Sequence, residues 1–212
     1  MKHLLSTTFA AVMALTAPAL ADSPVVVELF TSQGCSSCPP ADKMLQALAE
    51  RDDVIALALH VDYWDYIGWK DVFAQAKFTQ RQRKFAAFSN RRSIYTPQMI
   101  VNGVSSVVGA KPMELTKTIS EHAAALSGVD LSLSRKGNSV VVDGSSNGAE
   151  GPFVVQIVRY QPLSEVRITR GENAGKTLAY SNVVTEWSVL GDWDGVGPLS
   201  MSASLSDDAP VV

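Results

Sequence analysis

VVVELFTSQGCSSCPPADKMLQALAERDDVIALALHV, residues 25–61, decides the fold. It opens on an apolar, β-branched run, Val25 to Phe30, which reads as a buried strand. A loop then holds both cysteines of the chain, Cys35 and Cys38. In PPADKMLQALAERDD, Met44, Leu45 and Leu48 recur at helical spacing, and Val54 to Val61 is a second continuous apolar run of strand length. Strand, loop, helix and strand, joined by a right-handed crossover, make two parallel neighbours in one sheet.

The cysteine pair admits three readings: a redox couple, a metal clip or a structural staple. Its position favours the first. The Cys35 thiol is expected at a helix N-terminus, where unpaired N–H groups and the helix dipole favour an anion and lower a thiol pKa. Cys38 is expected one turn further in and less exposed, placed to resolve a mixed disulfide. A staple is a poorer use of this spacing. Closing so short a ring removes only about 2 kcal/mol of unfolded-state entropy, against about 4 or more for long loops.

Upstream, MKHLLSTTFAAVMALTAPALA, residues 1–21, places Lys2 before an apolar run from Leu4 to Leu15 and closes on Ala19-Leu20-Ala21. This is the layout of a secretory signal peptide. Cleavage is expected near Ala21, leaving a periplasmic or secreted chain in an oxidising compartment where a disulfide persists. No later segment has 18 uninterrupted apolar residues, so no membrane insertion is expected after cleavage. A net charge of −3 argues against a general nucleic-acid binder.

Downstream lies an aromatic loop, DYWDYIGWKD, followed by a helical stretch over 72–90. Gln98 to Val101, the turn Asn102-Gly103, and Val104 to Val108 read as a hairpin, because both turn residues accept positive φ. A closing helix is expected from Lys111 to Leu126. After Gly128 the pattern becomes alternating. Strands are expected around a Lys136-Gly137-Asn138 turn and then at Phe153–Arg159, Val166–Ile168, Thr177–Tyr180, Val183–Leu190 and Leu199–Leu205, with SDDAPVV as a loose tail. The expected organisation is an α/β domain over 22–127 and a small all-β module over 128–212.

The order of elements in Val25 to Leu126, with Thr96-Pro97 ahead of a hairpin, resembles the thioredoxin-like fold. That resemblance implies a cis Pro97 facing the cysteines. VELFTSQGCSSCPPAD, ALHVDYWDYIGWKD, YTPQMIVNG and RGENAGKTLAYSNVV together resemble a family of secreted bacterial proteins catalogued as domain of unknown function 1223. Such proteins are taken to carry a thioredoxin-like domain and a β-rich extension. The activity expected from the cysteine pair and the thioredoxin-like order of elements, rather than from that family, is thiol–disulfide exchange with protein thiols or disulfides and a further redox partner, with no cofactor. Cys35 attacks, Cys38 resolves, and Pro97 and Thr96, with Tyr63 and Trp64 of the aromatic loop, line a substrate surface. The alternative is a Cu(I)-binding or protein-binding module without turnover, the copper held by Cys35, Cys38 and His60.

Several residues depart from ordinary thioredoxins or stand open. Ser36-Ser37 replaces Gly-Pro between the cysteines. Pro39 and Pro40 remove two backbone donors, so regular helix is expected to begin near Pro39, with less dipole help for Cys35. Glu28 is either a proton-transfer carboxylate or an outward-facing strand residue. His60 is otherwise a hydrogen-bonded residue at a strand end. Tyr63, Trp64, Tyr66 and Trp69 either line a groove or pack against the β module. Lys77, Arg81, Arg83, Lys84, Arg91 and Arg92 read as a solvated helix face. GENAGKT has one residue too few between its glycines for a phosphate loop and reads as a turn.

Overall fold

The computed structural model describes residues 23–125, 128–205 and 210–212. The signal peptide expected over 1–21 and the end of the closing helix, Leu126, lie outside the described residues.

The opening stretch folds as β1 (Val25–Thr31), α1 (Pro39–Leu48) and β2 (Val54–His60). β1 and β2 pair in parallel from Val25↔Val54 to Thr31↔His60. Their runs are mostly apolar because both sheet faces are covered, with Glu28, Thr31 and His60 as the buried exceptions. Val25, Val27, Leu29, Ala56 and Ala58 pack with Ala41, Leu45 and Leu48 of α1. The alternate residues Phe30, Leu57 and Leu59 pack on the opposite face with Phe78 of α2 (Ala76–Phe88). That helix is shorter than the expected 72–90. Phe73 precedes it and packs on the α1 face, whereas Phe88 is exposed. Of the basic residues in this region, Arg81 is only partly solvated, its guanidinium lying 3.7 Å over the Trp187 ring.

β3 (Gln98–Val101) pairs antiparallel with β1, and β4 (Ser105–Val108) with β3. Asn102 and Gly103 adopt the positive φ expected of them, and Asn102 Oδ1 also accepts the Val26 N–H at 2.8 Å. α3 (Pro112–Ala123) buries Leu115 and Ile119 on the α1 face.

The second half of the chain divides differently from its texture. β5 (Val129–Lys136), β6 (Ser139–Ser146) and β9 (Leu199–Ser204) form an antiparallel sheet of their own. β7 (Phe153–Arg167) and β8 (Thr177–Trp193) instead complete the first sheet, in the order β4-β3-β1-β2-β8-β7. The architecture is therefore mixed α/β, a six-stranded sheet with a separate three-stranded one. The far end of the β7–β8 hairpin also packs on the smaller sheet, through Ile157 against Val140 and Leu205 and through Trp193 against Val142 and Leu199.

Four of the short runs expected here merge into two long strands. Pro162 interrupts the sequence but not the strand, because the missing N–H lies on the outer edge of β7, where no strand needs it. Asn182, at φ 49°, breaks the pleat of β8 without ending it. The tail is not loose over 210–212. Val158 and Val212 exchange both backbone hydrogen bonds, at 2.7 and 2.9 Å, covering part of the exposed edge of β7.

Glu28 is buried beneath α2 and held bidentately by Arg81, with Nε–Oε2 at 2.5 Å and Nη2–Oε1 at 2.8 Å. Arg81→Met leaves that carboxylate buried and unpaired, an expected loss of about 3 kcal/mol in urea denaturation. Glu28→Gln, which leaves only a partly solvated guanidinium behind, is expected to cost less. A loss below about 1 kcal/mol for Arg81→Met, in the range of a surface ion pair, contradicts this assignment.

Candidate functional site at the Cys35–Cys38 disulfide

Beyond Thr31 the chain turns sharply. Cys35 N–H donates to Ser32 O at 3.1 Å and Cys38 N–H to Cys35 O at 3.2 Å. Cys35 and Cys38 form a disulfide. Regular helix begins at Pro39, as the two prolines imply, with Cys38 as its N-cap. Pro39 and Pro40 have no N–H, and the N–H groups of Ala41 and Asp42 both donate to Cys38 O, at 2.8 and 3.0 Å. The first turn of α1 therefore has no free backbone donor for a Cys35 thiolate. Ser37 supplies one instead, its hydroxyl 3.4 Å from Cys35 Sγ.

The expectation of an accessible Cys35 is corrected. Cys35 is 1% exposed and Cys38 0%, while Ser36 and Ser37 between them are exposed. Two segments crowd the disulfide loop. The aromatic loop places Trp64 and Ile67 against Gly34, where an added Cβ would stand 3.1 Å from Ile67 Cδ1. Trp69 Nε1 donates to Gln33 Oε1 at 2.8 Å. From the distant β7–β8 turn comes Asn173, fully buried, whose side-chain amide donates to Gln33 O at 2.9 Å and Cys35 O at 3.0 Å. GENAGKT is thus a turn, as expected, but also a wall of the site.

Of the remaining candidates, Thr96 and Trp64 are joined to each other beside the disulfide loop, and Glu28 is not near it. The Thr96-Pro97 bond is cis. Pro97 is buried, and Thr96 Oγ1 accepts from Trp64 Nε1 at 2.7 Å. Tyr63 is half-buried and donates to Gln82 Oε1 at 3.2 Å, and its burial pushes its pKa up to about 12. Tyr66 is exposed and stacked on Trp64. Glu28 faces the α2 side of the sheet, away from α1, and so does not serve the disulfide.

Under the disulfide, between β1, β2 and α1, lies a buried polar cluster. His60 Nδ1 stands 2.7 Å from Asp71 Oδ2, which also accepts the Gln33 N–H at 2.8 Å. Thr31 Oγ1 donates to Asp42 Oδ1 at 2.7 Å. The His60 ring meets Tyr180 edge-on at 4.8 Å between centroids. Asp42 Oδ2, His60 Nε2, Tyr180 OH and Gln33 Nε2 are buried with no partner among the described residues. Burial pushes the Asp42 carboxyl up to about 7, against the lowering effects of Thr31 and His60, and burial likewise raises Tyr180. The copper set does not assemble. The sulfurs are bonded to each other, His60 Nδ1 is held by Asp71, and no group of three or more His, Cys, Asp or Glu gathers to hold a metal among the described residues.

Asp42, Asp71 and Asn173 are the site residues that sequence reasoning missed. Asp42 lies in the first helical turn, where a carboxylate reads as a dipole partner. Nothing along the chain brings Asn173 to Cys35.

Over residues 26–211 the chain matches the model of a family described as a protein of unknown function, DUF1223. The chain belongs to the DUF1223 family. A crystal structure of protein AGR_C_4864 from Agrobacterium tumefaciens is similar at 33% identity and a TM-score of 0.77, covering 89% of this chain and 81% of that one. HBP35 of Porphyromonas gingivalis shares the fold at 14% identity and a TM-score of 0.58, over 87% of this chain and 65% of that one. No curated protein matches.

The Asp42 carboxyl of this DUF1223 protein makes stability depend on pH. Its folded value of about 7 lies above the ordinary 3.8. Between these values the folded state holds a proton that the unfolded chain has released, so stability falls as pH rises through this window and levels off above it. Asp42→Asn is expected to flatten the fall and to raise stability at pH 8 by up to about 4 kcal/mol, with little change at pH 4. Urea denaturation across this range checks it, and a variant that keeps the wild-type slope refutes it.

Proposed function

We propose that this protein is an exported thiol–disulfide exchange protein that acts on the cysteines of other proteins through Cys35 and Cys38. The observation that carries this reading is the placement of the pair. The disulfide closes the turn between the end of a central strand and the first residue of a helix, and the cis Thr96-Pro97 bond is tied to the same rim through Trp64. A short-ring disulfide at a sheet's carboxyl edge contributes little as a staple and stands where α/β proteins bind ligands.

In the oxidising direction, a substrate thiolate attacks Cys35 Sγ. The Cys35–Cys38 bond breaks, a mixed disulfide forms and Cys38 leaves as a thiolate. A second substrate thiolate then attacks the substrate sulfur bound to Cys35. The substrate leaves as a disulfide, and both electrons stay on the cysteine pair. The reducing direction is the reverse, with Cys35 as nucleophile and Cys38 resolving. Asp42 follows Cys38 by four residues and shares its helix face, so its carboxyl is the buried group placed to exchange a proton with Cys38. Periplasmic or extracellular residence fits the leader-like first 21 residues and supplies substrates with cysteines to exchange.

The test is turnover in both directions, reduction of insulin disulfides and oxidation of a reduced, unfolded ribonuclease. Wild type is expected to be active in at least one direction. Cys35→Ser abolishes it, and Cys38→Ser accumulates mixed disulfides on Cys35. A pair inert in both directions, or a Cys35→Ser variant with wild-type turnover, overturns the reading.

A further inference from the structure

The β7–β8 turn reaches the disulfide from more than 130 residues away in sequence, and its contacts there are polar and few. Asn173 is 0% exposed, and its amide bridges Gln33 O and Cys35 O. Glu172 Oε2 accepts the Ser36 N–H at 3.3 Å. Lys176 Nζ, on an exposed residue, donates to Asn173 Oδ1 at 2.9 Å and so fixes which end of the amide faces the cysteines. The turn is internally complete. Ile168 N–H donates to Lys176 O, Gly175 N–H to Ile168 O, Ala174 N–H to Gly171 O and Lys176 N–H to Asn173 O. Gly171, at φ 74°, lets the turn settle on the aromatic loop, where an added Cβ would stand 3.3 Å from Trp69 Cβ. Ile168 is 1% exposed and anchors the turn in the core, so hinging the turn about it breaks the Asn173 and Glu172 contacts while leaving the turn's own hydrogen bonds intact.

We propose that the turn from Thr169 to Lys176 is a lid, hinged on the buried Ile168, that seals the Cys35–Cys38 disulfide, and that a thiol reaches Cys35 only when Asn173 leaves its seat on the Gln33 and Cys35 carbonyls. This rests on the exchange reading for its purpose, but not for its test. Attack requires an approach to a sulfur along the S–S axis, and a residue 1% exposed offers none. Local opening that costs a few hydrogen bonds is far cheaper than global unfolding. The lid thus sets the rate of reaction with small thiols, and a partner protein that binds the rim and displaces Asn173 gains access that free thiols lack.

The probe is dithiothreitol. One thiolate attacks Cys35 Sγ and releases Cys38. The second closes the reagent into its cyclic disulfide and releases Cys35, leaving a dithiol protein, which alkylation and mass shift quantify. Removing the buried amide in Asn173→Ala is expected to speed reduction about tenfold, the weight of one or two buried hydrogen bonds on the opening equilibrium. Lys176→Met, a surface change that only frees the amide, is expected to speed it about threefold. Wild-type reduction is expected to respond weakly to sub-denaturing guanidinium, as for a small opening. Variants reacting at the wild-type rate, or a wild-type rate that rises with guanidinium along the full unfolding slope, overturn the lid. If Asn173→Ala does not fold, Lys176→Met and the guanidinium slope decide. A lid confirmed by dithiothreitol in a protein that turns over no protein disulfide defeats the exchange function and leaves the lid standing.

Discussion

The structure depends on the junction where β8 comes to lie beside β2. Ala58 pairs with Val183, and the Asn182 side-chain amide donates to Ala56 O at 2.9 Å. Without β8, β2 would be an open edge with a row of unpaired backbone groups. With it, β7 and β8 join the first sheet and Tyr180 enters the core around α1. Asn182 is the pivot. Its positive φ breaks the pleat, and around it Leu178, Tyr180 and Val183 pack in the cluster with α1 while Val184 packs on the α2 face. Everything peculiar to the disulfide follows from that placement: Tyr180 under His60, and Asn173 over Cys35.

The chemistry of the pair is shifted from what its motif implies. Pro39 and Pro40 start the helix, and the next two N–H groups close on Cys38 O. A thiolate at Cys35 therefore loses the backbone donors that a helix N-terminus normally offers. The Ser37 hydroxyl remains within reach. Stabilisation of the other thiolate has to contend with a carboxyl one turn below it, which burial keeps protonated up to about pH 7. A neutral Asp42 does not repel a Cys38 thiolate, and an ionised one does. In the proposed exchange, the proton on Asp42 is therefore expected to be coupled to the charge on Cys38, four residues away on one helix face.

Local features were legible. The parallel β1–α1–β2 unit, the Asn102-Gly103 turn and the helix start at Pro39 each follow from side-chain period or backbone chemistry within a few residues. What was not legible is long-range. Alternation in β7 and β8 identifies strands but not the sheet they join, and Pro162 looks like a break until the free edge beside it is seen. Glu28 could not be assigned because strand period says only that it opposes Leu29, not which helix covers it. The exposure of Cys35 was misjudged for the same reason. A CxxC ahead of a helix is open by its local geometry, and it is closed by the aromatic loop together with a segment from beyond Ile168.

Burial of the disulfide alters what selects its substrates. In an open active site, any thiolate that collides productively can react, and selectivity lies in the rim. On the proposed lid, a reactant must first displace an amide that makes two hydrogen bonds to backbone carbonyls, and those carbonyls must be satisfied again once it leaves. A small thiol offers no replacement donors, whereas an extended polypeptide offers backbone N–H groups at regular spacing. Opening is therefore expected to cost less in the presence of a peptide chain than in its absence. Ser36, Ser37 and Tyr66 form the exposed part of the rim, where such a chain would first make contact in the proposed reaction. On this proposal, the feature that buries Cys35 would favour protein partners over small thiols, so the proposed substrate class rests on the architecture as well as on the CxxC.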